Sequence, residues 1–338
     1  MESEEQLYPL LFRPNLHARV WGGTRLRPFK GLEPNEDPIG ESWEVSAVKG
    51  KASVVHGGPL DGEALDALTE RFGASMLGQR VAEMYGTEFP LLVKFIDAAS
   101  DLSIQVHPND ELARERHNSL GKTEMWYVLD AEEDAKILCG FFQHITPYEY
   151  AKRVEDGSIA EVLRHHRAHK GDVFFLPAGR VHAIGGGTLI AEVQQSSDVT
   201  YRIFDYGRLG LDGKPRELHT ELASDAIDYN TESSYRTLYE PHINKPVYIA
   251  DSPYFTVKIL ETNRSFHRKL FKYDSFVIYV CLQGSCNIEM RCKCPVEWVH
   301  LQQGNSCLVP AAVADYNVVP CGDSVRLMEV YIDNKNHR

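Results

Sequence analysis

The 338-residue sequence predicts a mainly β chain: two jelly-roll barrels, with helical insertions in the N-terminal half. Three observations carry this expectation. Short apolar runs broken by Gly and Pro fill most of the chain. Helical spacing is confined to four stretches. One strand-and-turn pattern also occurs twice. Gly171-Asp-Val-Phe-Phe-Leu-Pro177-Ala-Gly179-Arg-Val-His182 has the form G-x5-P-x-G-x2-H, and Gly304-Asn-Ser-Cys-Leu-Val-Pro310-Ala-Ala312-Val-Ala-Asp315 repeats its skeleton with Ala for the second Gly and Asp for the His. The repeat keeps the turns and loses the imidazole.

In chain order, Leu7 to Val55 reads as strands and turns, and Leu65, Leu68, Phe72, Met76, Leu77 and Val81 then recur at helical spacing within about 60–85. Two strands follow, Pro90-Leu-Leu-Val-Lys-Phe-Ile-Asp and Leu102-Ser-Ile-Gln-Val-His-Pro, after which Asn109-Asp110 can cap a short helix over 109–118. Strands resume near Glu124–Leu129 and Ala135–Phe141. Thr146-Pro147 opens a helical region over 147–166 that ends at His165 and His166. A last helix is expected over 217–229. The polar stretch Asn230-Thr-Glu-Ser-Ser-Tyr suggests a boundary, giving a catalytic unit over 1–235 and an all-β unit over 236–338.

Composition narrows the function. Lys plus Arg number 36 against 48 Asp plus Glu, a net charge of −12, so nucleic acid and anionic membrane are not expected partners. An anionic substrate needs a local cationic pocket. No run of eighteen apolar residues occurs and the start is acidic, which reads as an unprocessed cytoplasmic protein. Five of the seven Cys (Cys281, Cys286, Cys292, Cys294, Cys307) crowd one strand-like stretch, where reduced thiols serve as small buried hydrophobes.

In Ser103-Ile-Gln105-Val-His107-Pro, Gln105 and His107 lie two apart on a strand and project from one face. Glu124, in Lys122-Thr-Glu124, opens the next β segment, and His182 comes from the later turn. Two imidazoles, a carboxylate and an amide oxygen make a donor set for one Zn²⁺ or another borderline divalent ion. The remaining His residues, among them His144, His169, His219, His242, His267, His300 and His337, have no partners at ligand spacing and read as structural or surface groups.

The G-x5-P-x-G-x2-H pattern resembles the second signature motif of cupins, so the barrels are read as cupin-like, the second one degenerate. Leu11-Phe-Arg-Pro-Asn, Val20-Trp-Gly-Gly, Gly40-Glu-Ser-Trp-Glu-Val-Ser, Gly121-Lys-Thr-Glu-Met-Trp-Tyr and Asp198-Val-Thr-Tyr-Arg-Ile-Phe-Asp-Tyr occur in order with the motifs above, and together they resemble the type I mannose-6-phosphate isomerases in their shorter form. The resemblance implies a zinc enzyme interconverting D-mannose 6-phosphate and D-fructose 6-phosphate. It places the ligands on Gln105, His107, Glu124 and His182, a site serine on Ser103, a site lysine on Lys122 and an essential arginine on Arg202. Thr123 departs from the family, which often has Pro there.

Moving a carbonyl between C1 and C2 passes through an enediolate whose charge a cation must hold. Arg202 can supply such a cation. Asp205, Lys122 and metal-bound water all stay open as the base, Ser103 is a candidate donor to phosphate oxygens, and the rest of the phosphate pocket is unlocated. Two alternatives share the fold: an Fe-dependent cupin oxygenase and a non-catalytic sugar-binding cupin. More imidazole would favour the first, and loss of the ligand set the second.

Overall fold

Period-two alternation along the strand Glu124–Ala131 divides the molecule into layers. In the computed structural model, which describes residues 6–270, 273–291 and 293–333, Met125, Tyr127 and Leu129 join a core shared with the C-terminal strands, while Trp126 and Val128 enter a separate core on the opposite face. The neighbouring strands divide likewise: Leu91, Val93 and Phe95 against Ile96 and Ala98, and Leu189, Ala191 and Val193 against Ile190. Successive side chains of a strand point to opposite faces, so a sheet covered on both sides is apolar almost throughout. The polar exceptions on these strands are therefore informative.

This central seven-stranded antiparallel sheet runs Arg236–Thr237, Val173–Leu176, Glu124–Ala131, Thr188–Gln195, Leu91–Ala98, Leu16–Gly23, Ile39–Val45. A five-stranded sheet, Tyr201–Phe204, Ile104–Val106, His182–Ile184, Lys136–Phe141, Leu163–Arg167, covers one face. A nine-stranded sheet built mainly from the C-terminal third covers the other. None of the three strand orders closes on itself. The mainly β, cupin-like architecture that the sequence predicts is present, its jelly-roll barrels as open stacked sheets. Leu10–Phe12, on the N-terminal side of the expected boundary, extends the nine-stranded sheet through Leu10↔Leu308 and Leu11↔Cys307.

The repeated motif folds as a repeated structure. Val173–Leu176 and Ser306–Val309 are both strands, and the glycine two residues before each, Gly171 and Gly304, sits at φ +91 and +78. Only glycine takes that left-handed conformation at no steric cost. The expected helices also form, over Leu65–Phe72, Ala74–Leu77, Gln79–Tyr85, Asp110–His117, Pro147–Glu155 and Thr220–Ala226. Asn109 caps one through its side chain, and Thr146 with Glu149 makes a capping box on another. A short additional helix covers Leu26–Phe29.

One expectation needs correction. The helical region expected over 147–166 stops at Glu155, continues as a 3-10 turn over Ile159–Val162, and gives way to a strand, Leu163–Arg167. Gly157 at φ +76 breaks the helix, and His165 and His166 pair with Leu138 and Ile137 instead of ending it. Cys281, Cys286 and Cys307 are buried free thiols, as their composition suggests, and Cys294 is half-buried. Cys292 and His337 lie outside the described residues. Among those residues no helix is long and apolar enough to cross a membrane.

Candidate metal centre and cavity

Gln105 occupies one rung of the five-stranded sheet with His182 paired to it on one side and Arg202 on the other. Three residues far apart in the chain thereby share a row. His107 follows the same strand, and Glu124 reaches them from the first position of its own strand in the facing sheet.

His107, Glu124 and His182 present atoms within 4.8 Å of one another, and all three side chains are buried. Glu124 Oε2 lies 3.4 Å from His107 Nε2, and Oε1 lies 3.2 Å from His182 Nε2. Each ring has its other nitrogen at a carbonyl: His107 Nδ1 at Val199 O, 3.0 Å, and His182 Nδ1 at Arg180 O, 2.8 Å. A carbonyl only accepts, so Nδ1 carries the proton in both rings and Nε2 presents its lone pair. Burial, with the Lys122 charge behind it, pulls His107 down to about 3 and so keeps it neutral; burial also lowers His182. Two imidazole lone pairs thus face a carboxylate. His107 Nε2 and both Glu124 oxygens find no hydrogen-bond partner in the protein. Unpaired, such an arrangement is unfavourable, and a cation held between the groups satisfies all of them. The Gln105 amide ends 3.3 Å from His182 Nε2, in place to add an oxygen to the set once the amide is turned.

Glu124 stays ionised. Burial is the largest influence and opposes the charge, but Lys122, His107 and His182 together hold its carboxyl well below the usual range. Lys122 Nζ lies 3.2 Å from Glu124 Oε2. The departure at Thr123 has a structural use: its N–H donates to Gln195 Oε1, 2.8 Å, and its hydroxyl accepts from Ala178 N, 3.3 Å, bonds that tie Glu124 to the turn before His182. Proline, with neither an amide N–H nor a hydroxyl, would lose both.

Beside the centre lies a cavity of about 420 Å³ whose lining includes Ser103, Gln105, Lys122 and Arg202. Six cations, Arg19, Lys51, Lys94, Lys122, Arg202 and Arg216, line it against three carboxylates, Glu41, Glu192 and Asp198. This is the local cationic pocket that a protein of net charge −12 needs for an anion. A larger crevice, about 720 Å³, between the helices of 65–85 and the turn at Ser196–Val199, carries Asp66, Glu70, Glu88 and Asp198 against Lys49 and His117, the opposite balance.

Asp205 is not brought to the cavity. Its carboxylate accepts from Arg216 Nε at 2.6 Å and Arg208 Nη2 at 2.8 Å, so the oxygens a base would use are committed to two guanidiniums. Arg202 has no carboxylate partner among the described residues. Its Nη1 donates to Glu217 O, 2.8 Å, its backbone N–H to His219 Nδ1, 3.2 Å, and its buried Nε makes no hydrogen bond in the protein. Burial, with Arg216 beside it, draws Arg202 below its usual range.

Sequence reasoning missed the polar side chains of the central sheet. Glu192 is buried, bonded to Trp126 Nε1 at 2.8 Å and 3.3 Å from Lys94 Nζ. Burial and the neighbouring Glu124 charge raise it above the ordinary carboxylate range. Lys94 remains charged because Glu192 and Glu41 outweigh its burial. The usable signal was a Lys or Glu in the middle of an otherwise apolar strand, which stays there only when paired.

Residues 10–144 match the family described as phosphomannose isomerase type I, catalytic domain. The chain is 35% identical to mannose-6-phosphate isomerase ManA of Bacillus subtilis over 314 residues, covering 92% of this chain and 95% of that protein. The chain belongs to the type I phosphomannose isomerase family. A second relative, the mannose-6-phosphate isomerase of Streptococcus mutans, is 32% identical over 91% of this chain and 94% of its own length. The crystal structure of the Bacillus subtilis mannose 6-phosphate isomerase superposes with a TM-score of 0.85 at 31% identity, covering 96% of this chain and all of that one.

Proposed function

We propose that the chain is a mannose-6-phosphate isomerase, a metal-dependent enzyme interconverting D-mannose 6-phosphate and D-fructose 6-phosphate, with Gln105, His107, Glu124 and His182 as ligands of one zinc ion. One observation carries the reading: two buried imidazole lone pairs and a carboxylate whose oxygens make no hydrogen bond in the protein converge beside a cavity lined by twice as many cations as carboxylates. Two imidazoles, a carboxylate and an amide oxygen suit zinc among the common divalent ions. Bound there, the ion supplies Lewis acidity for the sugar oxygens.

The protein's own groups do the rest. Arg202, held by Glu217 and His219, is a permanent cation for the charge that develops on the C1 and C2 oxygens. Lys122 Nζ balances Glu124 and reaches the same cavity. Glu192, raised by burial and by Glu124, is suited to take a proton at one carbon and return it at the next, work for which the sequence leaves Asp205, Lys122 and metal-bound water open. Arg216, on the same wall, is suited to a phosphate dianion, with Ser103 a further donor. Every group named precedes residue 236, consistent with a catalytic unit over 1–235 and a unit without ligands after it, in a cytoplasmic protein with reduced thiols. Nothing in the site favours an oxygenase or a purely sugar-binding module.

The test is a coupled assay for fructose 6-phosphate formed from mannose 6-phosphate. Turnover should vanish with chelator and return with added zinc. A metal-loaded protein that forms no fructose 6-phosphate sinks the reading.

A further inference from the structure

Between Arg202 and the helix Thr220–Ala226 the chain makes a hairpin, closed by the bridge Leu209↔Pro215 and by Gly210 N donating to Lys214 O, 2.7 Å. It opens through Tyr206 and Gly207 at φ +57 and +68. Its two ends are tied crosswise. Arg202 Nη1 donates to Glu217 O from the far end, and Arg216, the preceding residue there, donates Nε to Asp205 Oδ2 at 2.6 Å and Nη2 to Oδ1. Arg208, on the hairpin itself, takes Oδ1 as well, through Nη2 at 2.8 Å and Nε at 3.1 Å.

The consequences differ for the three residues. Arg216 lines the cavity; Asp205 and Arg208 do not. A guanidinium offers five N–H donors in a planar fork. Asp205 occupies the Nε and Nη2 edge of Arg216 and leaves the Nη1 edge free for a ligand. Asp205 is itself 5% exposed and fixed by two cations, so it has little freedom to follow Arg216 if that side chain swings. Arg216 and Arg202 are like charges side by side on one wall, and without a fixed carboxylate behind it Arg216 would turn away from its neighbour.

We propose that Asp205 is a positioning residue: it holds Arg216 in the cavity wall beside Arg202 and thereby sets affinity for the phosphate end of the substrate without touching it. This deepens the isomerase reading and rests on it for the substrate. The electrostatic alternative predicts the opposite sign, because removing a carboxylate near an anion site should tighten anion binding. Orientation and simple charge removal are therefore distinguishable.

The experiment uses the metal-loaded full chain with Asp205→Asn, Arg216→Gln and the double variant. In Asp205→Asn, KM for mannose 6-phosphate and the inhibition constant for inorganic phosphate should rise together by about tenfold, with kcat within about twofold and metal content unchanged. Asp205→Glu should recover most of the loss. In the Arg216→Gln background, adding Asp205→Asn should change neither constant further, since Asp205 acts only through Arg216. Constants that are unchanged or lower in Asp205→Asn, a fall confined to kcat, or an additive double variant would each overturn the proposal. If Asp205→Asn does not fold, Asp205→Glu is read against wild type instead: a KM and phosphate constant equal to wild type in that variant support the carboxylate's role only if Asp205→Ser raises both, and they overturn it otherwise. Calorimetric binding of inorganic phosphate to wild type and Asp205→Asn gives the same answer without turnover, so an absence of isomerisation would fault the assigned reaction and leave this comparison intact.

Discussion

Gly179 donates its amide to the carbonyl of His107, 2.9 Å away, so the turn that delivers one candidate ligand is bonded to the backbone of another. Gly179 sits at φ +88, and its own carbonyl accepts from Asp228 N, 2.8 Å. A Cβ there would lie 2.9 Å from Ala226 O and close to Asp228. Gly179→Ala therefore combines backbone strain with a clash against fixed main chain, about 1–3 kcal/mol. The expected result is a lower unfolding temperature together with weaker metal binding, because His182 lies three residues on. Loss of stability with metal affinity intact would show that the turn does not position the ligand.

The two kinds of site residue should separate in one measurement. Glu124→Gln and His182→Ala remove donors, so bound metal and turnover fall together, with affinity reduced by at least about a hundredfold. Arg202→Ala leaves the donors in place, and its metal content should match wild type while kcat falls by about 10²–10³-fold. Metal content by elemental analysis beside kcat is the readout. Full metal with a normal rate in both ligand variants would move the centre elsewhere, and a near-normal rate in Arg202→Ala would remove that arginine from the chemistry.

The convergence of His107, Glu124 and His182 was legible for a simple reason. Gln105 and His107 share a strand face by period two, and Glu124 and His182 begin strands in recognisable turn contexts, so local pattern and motif order sufficed. The ion pair that engages Asp205 was not legible, because its partner Arg216 lies eleven residues away across a hairpin; spacing from Arg202 alone left Asp205 open as a base. Lys94 and Glu192 were passed over because Leu91-Leu-Val-Lys-Phe-Ile and Thr188-Leu-Ile-Ala-Glu-Val read as ordinary buried strands, and only the facing sheet reveals that their charged members look into the cavity. The pairing of Leu10 with Leu308 has no local signature at all: strand partners so distant in sequence are chosen by global packing.

Glu41 ties stability to pH. Burial opposes its charge most strongly, yet Lys94, Arg19 and the Trp43 N–H outweigh it and bring the carboxyl down to about 2. The folded value lies below the unfolded one, so the stabilisation is present above about pH 4.5 and is lost as pH falls toward 2. Glu41→Gln should cost on the order of 2–3 kcal/mol at neutral pH and much less near pH 2. Urea unfolding of both proteins between pH 7 and pH 3 checks this. Parallel curves over that range would mean that the carboxylate is not the group whose protonation matters.

In the C-terminal sheet a buried carboxylate, Glu329, is paired with the half-buried Arg268 inside the unit that lost its imidazole. Glu329 accepts from Arg268 Nη2 at 2.8 Å and Nε at 3.1 Å and from the Tyr279 hydroxyl at 3.2 Å, and that hydroxyl also meets Tyr316 at 3.0 Å. Removing one partner from such a pair leaves the other charge buried without compensation, which costs about 3–5 kcal/mol. Arg268→Met should therefore lower the unfolding temperature sharply, while Arg268→Met with Glu329→Gln recovers part of the loss, because no buried charge is then left unpaired. The Arg268 variants that fold should retain KM and metal content, since both residues lie outside the first unit's cavity. A double variant no more stable than the single one would show that Arg268 contributes through packing on Phe266, 4.5 Å from its guanidinium, more than through its charge.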